Sequence, residues 1–262
     1  MSRPGLWFVL VGLTGCATGL QAQTTDSATS ACLRSPACVF PSPGEEAVLP
    51  WLSRAAGAAR TTTAVMKLLD AAQLERIQEL VVRCAQRASA DVEREDDVLR
   101  GRSPDWAECQ RVVHRENGRD VTRGMDLGQK KHAAALKCVQ EEVVKRFPDH
   151  VSLEPRYQRD PGTGAWSRLD PAQVAEWLQL GMTRRLWGSL VPDIVIHEAG
   201  NPDKPQGVYD LKFPCPEDNR PRWGRYSPDQ PYFPKNQGQV YRDELLRGKG
   251  PVRLITPRGA NE

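Results

Sequence analysis

The chain reads as an α+β protein: a helical N-terminal region followed by an α/β domain with a small mixed central sheet flanked by helices. Two observations carry this. Apolar residues from Ala64 to about Leu99 recur near a 3.6-residue period, with Val65, Leu68, Leu69, Ala72, Ile77, Leu80, Val81, Cys84 and Ala88 on one stripe. Beyond residue 128 the pattern becomes helix, short extended runs, helix and strand. The 262 residues suffice to bury a core. No apolar run inside the chain approaches the roughly 18 residues of a membrane span. Lys and Arg number 36 against 33 Asp and Glu, too balanced for charge alone to indicate a nucleic-acid partner.

In chain order, the sequence divides into residues 1–15, 16–60, 61–128 and 129–262. Arg3, the apolar stretch Gly5 to Leu13 and the small residues before Cys16 describe an export signal. Leu13-Thr14-Gly15-Cys16 resembles a bacterial lipobox, which implies lipidation of Cys16 and a membrane anchor of acyl chains on a soluble body. Cleavage after Gly19-Leu20-Gln21-Ala22 is the alternative and would discard Cys16. Residues 16–60, with Thr24 to Ser30 and then Pro36, Pro41, Pro43 and Pro50, form a linker. Export favours disulfides among Cys32, Cys38, Cys84, Cys109, Cys138 and Cys215. Cys32 and Cys38 are the simplest local pair, and the other connectivities stay open. No Cys-x-x-Cys spacing indicates zinc.

After the first long helix, Ser103-Pro104 predicts a second from Asp105 to about Arg115. Gly118, Gly124 and Gly128 predict a break, with a helix from about Gln129 to Phe147. Asp170-Pro171 opens a helix to about Leu180, stopped by Gly181. Strands are expected at Val151 to Leu153, Ala165 to Ser167, Ile194 to Ile196, Gly207 to Phe213 and Val252 to Ile255, with a helix from about Gln237 to Leu246. Residues 129–262 hold 21 Lys and Arg against 17 Asp and Glu, so the excess positive charge lies there.

Chemistry concentrates in two of these strands. A side-chain period of two sets Tyr209, Leu211 and Phe213 on one face and Asp210 with Lys212 on the other. Pro192-Asp193 brings a second carboxylate to the start of the strand at Ile194. Two hard oxygen ligands suit Mg²⁺ or Mn²⁺, and an ammonium beside them can orient water or offset charge on a phosphoryl group.

Pro192-Asp193 followed by Asp210-Leu211-Lys212 resembles the PD-(D/E)xK restriction-endonuclease-like superfamily. Gln237-Gly238-Gln239-Val240-Tyr241 is similar to the Gln-x-x-x-Tyr motif of its RecB-like members. The resemblance covers residues 129–262. It implies a restriction-endonuclease-like domain with Asp193 and Asp210 as metal ligands and Lys212 assisting catalysis. Gln237 and Tyr241 would contact DNA and support the site. The family's upstream acid falls among Glu141, Glu142 and Glu154. Between strand and motif, Arg220, Arg222, Trp223 and Arg225 interleave basic and aromatic character in a loop of six prolines suited to phosphates and bases.

Lipobox, helical region and nuclease-like C-terminus together resemble polymorphic lipoprotein toxins exchanged between bacterial outer membranes. That resemblance implies a toxin acting in a recipient cell's cytoplasm and neutralised by a cognate immunity protein, with DNA favoured over RNA as substrate. A ribonuclease toxin on the same fold, and a non-enzymatic, disulfide-stapled envelope lipoprotein binding a protein or polymer, are the alternatives.

Overall fold

The computed structural model describes residues 68–262. The export signal, Cys16, the linker and the Cys32–Cys38 pair lie outside the described residues. No helix among the described residues is long and apolar enough to cross a membrane.

Helix α1 (Ala71–Glu95) begins where Asp70 caps it: the carboxylate accepts from Gln73 N while the Gln73 side chain accepts from Asp70 N. Its stripe of Ile77, Leu80, Val81, Cys84, Ala85 and Ala88 is buried, as core. Helix α2 (Trp106–Gln110) is far shorter than the sequence suggests, and its cap is Asp105 rather than Ser103. The β-branched pair Val112-Val113 instead enters strand β1 (Val112–Glu116), which pairs antiparallel with β2 (Arg119–Thr122). Asn117 and Gly118 join them with φ of 49° and 76°, both in the left-handed region that a two-residue hairpin turn requires.

Helix α3 (Arg123–Val139) starts six residues before the expected position and continues as a π-helical turn over Gln140–Val144. Gly124 and Gly128 are therefore helical, not a break. At Gly124 a Cβ would lie 3.0 Å from Cys215 Cβ and 3.2 Å from the Cys109 carbonyl, so the missing side chain lets the helix approach these neighbours closely. Next come β3 (Val151–Leu153), the hairpin β4 (Tyr157–Arg159) with β5 (Trp166–Arg168), and α4 (Pro171–Gln179) capped by Asp170. The chain ends through β6 (Ile194–Glu198), β7 (Asn201–Leu211), α5 (Gln237–Val240, continuing as a π turn over Tyr241–Leu245), β8 (Val252–Thr256) and β9 (Gly259–Asn261).

Five strands form one mixed sheet in the order β3-β6-β7-β8-β9. Only β7 and β8 run parallel, because the α5 crossover joins them; their neighbours are antiparallel. One face carries Val151, Ile194, Ile196, Tyr209, Leu211 and Ile255, and buries them against α1 and α3. Val195, Val208 and Val252 belong to a second core with Val240, Tyr241 and Leu245 from α5 and its π turn. The alternation expected in β7 is thus realised.

Two disulfides brace this layering: Cys84–Cys138 joins α1 to α3, and Cys109–Cys215 joins α2 to the chain just past β7. Buried Lys131 and Glu93 (2.6 Å) add an ion pair between α3 and α1. The bridges span 54 and 106 residues, so chain entropy assigns each roughly 4–5 kcal/mol of stabilisation. Replacing Cys84 and Cys138 together by Ala should lower the unfolding free energy by about 4 kcal/mol in urea titrations under oxidising conditions. Under strong reductant the wild type should lose more, having given up both bridges.

Candidate metal and phosphodiester site

Asp193 stands at the mouth of β6, one step beyond the Ile194–Tyr209 pair of the antiparallel ladder. Continuing that register sets Asp193 opposite Asp210. The Asp193 side chain is itself part of the joint, since its Oδ2 accepts from Leu211 N at 2.6 Å. Asp210 and Lys212 project on the face away from α1 and α3, with Asp210 Oδ1 2.6 Å from Lys212 Nζ. Both side chains are wholly buried. Among the described residues neither Asp210 oxygen nor the ammonium makes a well-aligned hydrogen bond, so Asp210 Oδ2 is left an orphan acceptor there.

Two further groups complete the cluster. His132 lies in the buried stripe of α3, and its Nε2 is 3.1 Å from Asp193 Oδ2. Glu154 follows β3; its backbone N donates to the Asp193 carbonyl at 2.8 Å. Its φ of 45° puts a non-glycine residue in the left-handed region, a strained conformation that clusters at functional sites. One donor atom from each of His132, Glu154 and Asp193 lies within 4.8 Å of the others. Glu154 is thus the member of the three sequence candidates that reaches the site. Glu141 is exposed, and Glu142 pairs with Arg146 at 2.8 Å on the same helix.

The electrostatics divide the carboxylates. Burial pushes the Asp193 carboxyl up, but the His132 imidazolium and its hydrogen bond outweigh that and hold it below the usual range. His132 answers in kind: burial favours the neutral ring, yet Asp193 raises its pKa overall. Asp210 goes the other way. Burial first, then the charge on Asp193, push it up to about 6, with Lys212 opposing. Glu154 keeps solvent exposure as a residue, but desolvation of its carboxyl still raises it. One acid ionised early and another held near neutrality is the separation expected where acid–base or ligand roles differ. The donor set of imidazole and carboxylate oxygens, with an unsatisfied buried oxygen beside it, fits a small divalent cation such as Mg²⁺ or Mn²⁺.

Gln237 and Tyr241 share one side of α5 and close the cluster from above. Gln237 is fully buried and fastens the preceding loop: its Oε1 accepts from Gly224 N at 3.0 Å, and its backbone N donates to the Gly224 carbonyl. Its contacts are therefore those of a support, and no part of it is exposed to a nucleic-acid strand. The Tyr241 hydroxyl donates to the Val191 carbonyl at 3.3 Å, two residues before Asp193. Its ring meets Trp223 edge-on, with centroids 6.1 Å apart. Trp223 in turn lies over Gly238, where a Cβ would come within 2.5 Å of the indole. Arg220, Arg222 and Arg225 flank this half-buried Trp and are exposed.

Two other histidines and Cys215 lie outside this cluster. His197 is held by Ser152 Oγ and the Glu198 carbonyl, and His114 is exposed on β1. Cys215 is tied up in its disulfide. Missing from the sequence reading was His132, although an ionisable ring in the apolar stripe of α3 was a visible signal.

In metal-free protein the Asp210 carboxyl should titrate near pH 6 by carbon-13 NMR. Asp193→Asn should lower that value by removing a like charge, and Lys212→Ala should raise it by removing the ammonium. Because Asp210 ionises later when folded than its ordinary 3.8, it costs stability progressively as pH rises from about 4 to 6. Asp193, depressed, contributes stability that is lost as pH falls below its ordinary value. Gly238→Ala should cost about 1–3 kcal/mol and displace Trp223, red-shifting tryptophan emission. No protein-family model, no curated protein and no solved structure matches the chain.

Proposed function

We propose that the chain is a metal-dependent endonuclease, acting on DNA in preference to RNA, with Asp193 and Asp210 as metal ligands. The observation that carries this reading is the meeting of Asp193, Asp210 and Lys212 across β6 and β7, with His132 and Glu154 adding donors on the Asp193 side. A helix, three antiparallel strands, a crossover helix and a parallel strand support the resemblance to PD-(D/E)xK nucleases.

Asp193, His132 and Glu154 would hold the cation, with Asp210 as a further carboxylate nearby. A bound Mg²⁺ or Mn²⁺ supplies Lewis-acid polarisation of the scissile phosphoryl oxygen and a lowered pKa for water. The protein's own groups do the rest. Asp210, ionised above about pH 6, holds the Lys212 side chain in place, 2.6 Å from its carboxylate. That amine would offset the charge that builds on phosphorus as the nucleophile adds, and burial strengthens its effect. Tyr241 and Gln237 hold the Trp223 loop over the site, and exposed Arg220, Arg222 and Arg225 offer phosphate contacts at its rim.

Disulfides are compatible with an exported chain. From the lipobox-like sequence at Cys16 we further infer an envelope lipoprotein whose nuclease domain is delivered as a toxin into neighbouring bacteria and met there by an immunity protein. Purified protein should nick and linearise plasmid DNA with Mg²⁺ or Mn²⁺ and stop with chelator. Asp210→Asn and Lys212→Ala should each reduce the rate at least about 100-fold. His132→Ala should chiefly raise the Mn²⁺ concentration required. Wild-type protein inert toward both DNA and RNA with every divalent ion tried would overturn the reading.

A further inference from the structure

Helix α1 and the C-terminal part of α3 with the turn after it border an open groove of about 250 Å³. Arg76, Arg83 and Arg87 line it from one face of α1, and Arg146 joins them from the turn beyond α3. Glu142 is the only acid in the lining. Arg76 and Arg146 each have a carboxylate on their own helix, Glu79 and Glu142. Arg83 and Arg87 are exposed and make no ion pair among the described residues. Like charges four residues apart oppose helix formation, so this pair gains nothing for the fold by standing together.

Beneath them lies the Cys84–Cys138 disulfide, which lines the groove and fixes the spacing of its walls. A concave, covalently braced surface with four guanidinium groups and two of them uncompensated is the chemistry of oxyanion recognition, since the planar fork of arginine matches phosphate. Cβ atoms at this spacing stand about 5–6 Å apart, so Arg83 and Arg87 can hold separate phosphates. Cys138 in the groove and His132 in the candidate site lie six residues apart on α3, about 9 Å along its axis and about 120° apart around it.

We propose that this groove is a second phosphate-binding site, which seats backbone phosphates of the nucleic acid outside the cleavage centre. The proposal rests on the nuclease reading and deepens it. Long substrates gain affinity from the groove, and a small phosphodiester that reaches only the metal site does not.

The test uses the full chain carrying Asp210→Asn, with chelator present, so that binding is read without cleavage. A fluorescein-labelled DNA duplex is titrated across a range of NaCl concentrations. Adding Arg83→Gln and Arg87→Gln should weaken binding about tenfold at low salt. It should also make the slope of log K against log salt shallower by about 1.8, at about 0.9 for each lost phosphate contact. Replacing exposed Arg94 and Arg115 by Gln, outside the groove, should leave both quantities nearly unchanged. In the otherwise wild-type chain, Arg83→Gln with Arg87→Gln should raise the KM for long DNA. The rate on bis-p-nitrophenyl phosphate should stay the same.

Unchanged affinity and slope in the Arg83 and Arg87 variant would overturn the groove while leaving a DNA-cleaving wild type intact. An equal loss from the Arg94 and Arg115 variant would also overturn it, as a diffuse charge effect. A wild type that neither binds nor cleaves DNA would overturn both the groove and the nuclease reading. Arginine-dependent binding to anionic phospholipid vesicles without DNA binding would reassign the groove's phosphate to lipid and overturn the proposal.

Discussion

The bond from Leu211 N to the Asp193 carboxylate organises everything around it. Asp193 lies just before β6, where the ladder with β7 would otherwise fray. By accepting a backbone proton from the partner strand, its side chain extends the ladder by one rung and locks the register. Register matters because the strand period is two: a slip of one residue would turn Asp210 and Lys212 into the apolar layer under α1 and α3. The same carboxylate faces His132 and the Asp210 charge, so one group sets both geometry and electrostatics.

Keeping such a cluster buried is costly. Each ion removed from water carries a penalty of several kcal/mol, and the Lys212–Asp210 pair has poor hydrogen-bond alignment to offset it. A core built only for stability would place apolar residues there, as the buried end of β7 does with Val208, Tyr209 and Leu211. The surroundings hold the arrangement rigid. Cys109–Cys215 anchors the chain three residues beyond Lys212, α3 is braced by Cys84–Cys138, and the Trp223 loop is fastened through Gln237 to the start of α5. Close packing does the same at Gly124 and Gly238, where a methyl group would push apart surfaces that must touch.

Much of the fold was legible where a local pattern had no competitor. Helix α1 followed from its apolar stripe, α4 from Asp170-Pro171, and the strands at β6, β7 and β8 from short β-branched runs. Errors arose where two local rules conflicted. Ser103-Pro104 suggested a longer second helix, but Val112-Val113 and the Asn117-Gly118 turn favoured a hairpin. Gly124 and Gly128 looked like a break, yet the helix runs through them. Their value lies in contacts with Cys109, Phe213 and Cys215, which no window of sequence around position 124 contains.

The candidate site divides along the same line. That Asp210 and Lys212 share a face is a property of any β-strand through those residues, because alternation is local and survives whatever the strand pairs with. That Gln237 and Tyr241 lie on one side of a helix is local too. Chain folding alone decided that Glu154 and not Glu141 or Glu142 reaches Asp193, that His132 joins them, and that Cys84 pairs with Cys138 and Cys109 with Cys215. These meetings depend on how helices cross the sheet. Periodicity tells which face of an element is apolar, but not which distant residue will stand opposite it.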